Sequence, residues 1–108
     1  MALTRVFKKT VQARVVKDAA FRQALLGEAI DCFLAGDVMT GKVLLRDFVN
    51  ASVGFSKLSR AMDRSPKSLM RMLSPSGNPQ ANSLFEIVAF LQRRERLRFT
   101  VRPARRAA

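Results

Sequence analysis

At 108 residues and 48% apolar side chains, the chain is long enough for one packed core, has no room for a second, and is too apolar to stay disordered. It carries a net charge of +12, no His, Trp or Tyr, and one cysteine. That composition removes the usual neutral-pH general base, imidazole or Cys-based zinc ligation, and any disulfide within the chain.

No run reaches the ~18–20 apolar residues of a membrane span. The longest apolar region, Ala29–Leu45, is interrupted by Asp31, Asp37 and Lys42, and the expected compartment is the cytoplasm. Residues Met1–Lys17 hold five basic residues and no acid. Few serines and the lack of a cleavage signal separate this stretch from a transit peptide, so it reads as a basic N-terminal arm.

Asp18–Ala35 has helical periodicity. Phe21, Leu25, Ala29, Cys32 and Phe33 recur at three- and four-residue steps, and Leu26, Ile30 and Leu34 widen the stripe, so burial on two sides is expected. Asp18 fits the N-cap, Gly36 the stop, and Asp37 the cap of the next helix. Cys32, inside the apolar pattern, reads as a buried thiol. The second helix should span Val38–Ser52, with Gly41, Leu44, Leu45, Phe48 and Val49 on one face and Lys42, Arg46, Asp47 and Asn50 facing out. Gly54 ends it.

A short third helix is expected over Ser56–Met62, with Phe55, Leu58, Ala61 and Met62 as its apolar set. Asp63-Arg64 makes a brief connection to a fourth helix reaching Leu73, N-capped by Ser65 and opened by Pro66 at the position where a missing N–H is harmless. Ser74–Pro79 is a loop by its run of Ser, Pro, Gly and Asn. A fifth helix follows over Gln80–Arg93, with Leu84, Ile87, Val88 and Leu91 on one face. In "RLRFTVR", Arg96, Arg98, Thr100 and Arg102 alternate with Leu97, Phe99 and Val101, a period-two strand pattern. A lone strand needs a partner, and in a helical chain the simplest is the same strand of a second subunit. The domain organisation is therefore an arm over residues 1–17, one helical domain over 18–102, and a short basic tail over 103–108 expected to be disordered.

Charge is unevenly divided. From Phe55 onward there are twelve Lys or Arg against Asp63, Glu86 and Glu95, whereas the first 54 residues hold eight basic and five acidic side chains. The second half thus reads as the side that meets a polyanion. Within it, the two short helices around residues 55–73 have helix-turn-helix proportions. Leu58 and Leu69 must point inward to lock them at a steep angle. The fourth helix then offers Lys67, Ser68 and Arg71 to a major groove, with Ser65 at its cap and a free, positively polarised N-terminus. Arg71 suits a bidentate guanine contact and Lys67 a guanine or a phosphate. Arg64 in the turn, and Ser56 and Lys57 at the start of the third helix, suit phosphates. The same spacing also fits an ordinary helical hairpin with a basic face.

Catalysis is not expected. There is no closely spaced carboxylate pair, since Asp18, Glu28, Asp31 and Asp37 are scattered as caps and on solvated faces. There is also no phosphate-cradling Gly-rich loop and no metal-ligand spacing, and so no cofactor or metal is called for.

"LSRAMDRSPKSLMRMLSPSGNPQANSLFEIVAFL" followed by "RLRFTV" resembles the DNA-binding half of the addiction-module antidote proteins. The match is most specific at Leu73–Pro79 and extends loosely back through "LLRDFVNASVGFSKLS" and "AIDCFLAGD". The chain departs from the family pattern where Ser59 stands for a small Ala, Asp63 for a turn Gly, Arg64 for an apolar turn residue and Gln80 for Phe. Arg93-Arg94 also replace a Gly before the strand. Asp tolerates a left-handed backbone better than most residues, so the turn should survive. The resemblance implies an all-α, five-helix lambda-repressor-like helix-turn-helix domain whose C-terminal β-strand pairs across a homodimer through Leu97, Phe99 and Val101. It also implies an antitoxin that represses its own operon at a palindromic operator and neutralises a RelE-like ribonuclease toxin. Two other readings stay open on the residues alone: a stand-alone or prophage-type repressor without a toxin partner, and a basic RNA- or protein-interaction module.

Overall fold

The computed structural model describes Ala13 and residues 17–106. The arm expected over residues 1–17 lies outside the described residues except at Ala13 and Lys17. The elements in order are α1 (Ala19–Leu34), α2 (Val38–Ala51), α3 (Phe55–Met62), α4 (Pro66–Met72) and α5 (Ala81–Glu95), and no strand occurs among the described residues.

Local chemistry accounts for the boundaries. Asp18, Asp37 and Ser65 each accept a side-chain bond from the N–H three residues on, at Phe21, Thr40 and Ser68. Pro66 opens α4 as expected. Gly36 follows α1 at φ +84°, a conformation that costs a residue with a Cβ. Asp63 takes the left-handed position after α3 at φ 54°. At the end of α5 the same position falls to Arg96, at φ 57°.

Leu26 and Ala29 of α1 meet Leu45, Phe48 and Val49 of α2. Phe55 and Leu58 of α3, Leu69 of α4, Leu73 beyond it, and Ile87, Val88 and Leu91 of α5 complete one buried cluster. Burying each such side chain stabilises by roughly 1.5–3 kcal/mol before entropy is counted. Phe21, Leu25, Ile30 and Phe33 are half-buried against this cluster, while Leu34 is exposed. Arg22 of α1 donates from Nε to both carboxylate oxygens of Glu95 at 2.8 Å, fastening the start of α1 to the end of α5. Cys32 is half-buried rather than buried. Partial burial, together with the Glu28, Asp37 and Asp31 carboxylates, pushes its thiol above the usual range, away from the nucleophilic thiolate.

Besides Cys32, one expectation is corrected, that for Lys42, and the C-terminal strand does not form within the single chain. Residues 97–106 have no regular secondary structure; the strand expected there is one paired with a second subunit, and the single chain offers it no ladder partner. Lys42, expected on the outer face of α2, is only 4% exposed. Its ammonium donates to the carbonyls of Gly77 at 2.7 Å, Ser74 at 3.0 Å and Pro75 at 3.4 Å, all in the loop after α4. Period alone assigned Lys42 to solvent; the loop that folds over the start of α2 is what buries it. Lys42→Met keeps the stem but strips the three carbonyls of their shared, buried donor. It should cost about 2–4 kcal/mol in urea unfolding with an unchanged m-value.

Candidate nucleic-acid interface

Five of the twelve cations of the basic second half lie on α3, α4 and the turn between them. Asp63, Arg64 and Ser65 join the two helices, and Leu58 and Leu69, both fully buried, hold them together as expected. The turn is fixed from α3. Arg64 N donates to the Ser59 carbonyl at 3.1 Å, and Ser59 Oγ donates to the Arg64 carbonyl. Ser59 thus closes the turn. Asp63 supplies the left-handed bend at modest cost, since its short polar side chain suits that region.

The sequence-predicted residues fall as follows. Ser56 and Lys57 are exposed on the first turn of α3. Ser65, Lys67 and Arg71 are exposed on or beside α4, and Arg64 and Ser68 are half-buried. Lys67 and Arg71 are four residues apart, so they lie one above the other on one helical face. Met70, 46% exposed, lies beside them and was not singled out by the sequence. Its signal was present, an apolar side chain three residues after Lys67 and out of register with Leu69 and Leu73. Arg60 adds an exposed cation to α3. Among the described residues none of Lys57, Arg60, Arg64, Lys67 and Arg71 forms an ion pair, so their charge is available to an external anion.

The end of α4 is built as closely as its start. Ser74 donates to the Arg71 carbonyl from both N (3.2 Å) and Oγ (2.7 Å). Gly77 N returns to the Ser74 carbonyl at 3.0 Å, closing a turn. Gly77 then lies on the last carbonyls of α4: a Cβ there would be 2.0 Å from Arg71 O and 2.6 Å from Met72 O. Lys42 holds the outer side of the same loop.

Leu97 and Phe99, expected at a subunit seam, are half-buried against their own chain, while Val101 is 75% exposed. No family, curated protein or solved structure matches this chain.

Because the contacts at Gly77 are with backbone, Gly77→Ala should destabilise by about 2–4 kcal/mol, more than an exposed Gly→Ala ever does. Thermal and urea unfolding of the variant beside Gly36→Ala, where no atom lies within 4 Å of the added Cβ, separates a packing clash from a purely conformational cost.

Proposed function

We propose that the chain is a sequence-specific DNA-binding transcriptional regulator in which α3 and α4 act as a helix-turn-helix. The observation that carries this reading is the exposed face of α4. Lys67 and Arg71 are stacked, free of carboxylates, on a short helix whose other side is locked to α3 through Leu69 and Leu58. Direct readout needs a rigid helix bearing long hydrogen-bond donors at groove spacing. Lys67, Ser68 and Arg71 would meet base edges, and Arg64, Ser65, Ser56 and Lys57 the flanking phosphates.

The protein would act as a homodimer, with the extended segment carrying Leu97, Phe99 and Val101 pairing across a two-fold axis. Two α4 helices would then read half-sites about one DNA turn apart. The resemblance at "LSPSGNP" adds the rest of the proposal: an antitoxin of the addiction-module antidote type, repressing its own operon and neutralising a RelE-like toxin. Among the described residues, no helix is long and apolar enough to cross a membrane.

Selection of bound sites from a random duplex pool should return a palindrome. Against that site Arg71→Ala should lose about 1–3 kcal/mol and relax preference at one base position in each half. Unchanged affinity and unchanged preference would sink the assignment of α4.

A further inference from the structure

Seven arginines fall between Arg93 and Arg106. All seven are exposed, and none pairs with a carboxylate among the described residues. Their placement follows from how α5 ends. Arg96, in the left-handed conformation, turns the chain out of the helix. Leu97 N then donates to the Gln92 carbonyl at 3.1 Å, and Phe99 N donates to the Gln92 side-chain oxygen at 2.7 Å. Both bonds hold the start of the segment against the last turn of α5, the first as the closing bond of the helix C-terminus. The Phe99 ring closes on α1 at Gly27, where a Cβ would lie 3.2 Å from Phe99 Cε1. Exposure alternates accordingly. Leu97 and Phe99 are half-buried, and Arg96, Arg98 and Thr100 are exposed, with Arg102 continuing the row.

We propose that Arg96, Arg98 and Arg102, with Arg93 and Arg94 at their head, form a second nucleic-acid-binding surface that grips the phosphate backbone of a DNA duplex without reading bases. The choice of duplex DNA rests on the reading of α4 above. The local chemistry agrees with it. A lipid surface would call for several apolar side chains beside the cations, but Leu97 and Phe99 are half-buried and Val101 alone is exposed among them. Single-stranded RNA would call for aromatic platforms, and no aromatic residue lies on the row.

The test compares the full chain with the triple variant Arg96→Gln, Arg98→Gln, Arg102→Gln on a random-sequence duplex across about 50–200 mM salt. The slope of log K against log salt should fall by about 2–3 for three lost phosphate contacts, with affinity at low salt down tenfold or more. The triple Arg→Lys variant should regain most of that slope, which a misfolded or merely destabilised chain would not do. Preference for the selected palindrome over random duplex should be unchanged in the Gln variant, whereas Arg71→Ala should alter preference and leave most of the slope. Should Arg71→Ala keep full preference while the Gln variant loses slope, the reading of α4 falls and the arginine row stands. An unchanged slope in the Gln variant overturns the proposal. So does a variant that keeps duplex binding but loses binding to mixed phosphatidylcholine–phosphatidylserine vesicles.

Discussion

The fold around α4 depends on one buried ammonium. Lys42 reaches from the first turns of α2 into the loop behind α4 and donates to three carbonyls, the whole donor capacity of the group. A buried charge is tolerated only when its hydrogen bonds are complete, and here no carboxylate shares the task. The acceptors instead follow the C-terminal end of a helix, where carbonyl dipoles favour a cation. Since α2 is itself packed along α1 through Leu45, Phe48 and Val49, this contact ties the end of α4 to the largest rigid unit of the molecule. Gly77 makes the tie possible. With any side chain there, the loop would be lifted off Arg71 and Met72, and its carbonyls would no longer converge on Lys42.

The start of α4 is fixed by different means, through Ser59 on the Arg64 carbonyl, the left-handed Asp63 and the Ser65 cap. A seven-residue helix has little stability of its own, because nucleation is unfavourable and few bonds repay it. It persists because both ends and one face are held by the rest of the chain. The consequence for the proposed base reading is that Lys67 and Arg71 project from a nearly fixed backbone. Only their own side-chain freedom is then lost on binding. Met70, apolar and exposed beside them, would offer contact to a thymine methyl rather than a hydrogen bond.

Much of this was legible from residue types. Caps at Asp18, Asp37 and Ser65, the stop at Gly36 and the inward Leu58 and Leu69 all follow from local rules, and all five helices fall within two residues of their expected ends. What was not legible depends on contacts distant in sequence. Lys42 occupies a position that helical period assigns to solvent, and only the loop more than thirty residues later makes it interior. The expected strand shows the same limit from the other side. Its burial alternates only from Arg96 to Thr100, which turns Phe99 toward α1 and leaves Val101 exposed, and ladder bonds need a second strand. The sequence places the arginines of that segment only at the alternate positions of a period-two pattern. Their lack of any ion pair becomes visible only with the packing in place.

The two basic surfaces are supported by separate parts of the molecule. The α4 face is held by α3 at its start and by Lys42 of α2 at its end, while the arginine row is held by Gln92 of α5 and by Gly27 of α1. The two sets of supports share no residue, although both rest on the one buried cluster. Backbone gripping and base reading would therefore be separable functions of one small domain. The inward N–H groups of Leu97 and Phe99 are satisfied by Gln92, which leaves the opposite edge of the segment as the one able to pair with a second copy. Pairing along that edge would keep Leu97 and Phe99 where they are and bring two arginine rows side by side. Their mutual repulsion would oppose the pairing in free solution and be relieved once phosphates lie between them. On that argument dimerisation and backbone binding would favour each other: DNA would strengthen the dimer, and the dimer would present the denser row of charge.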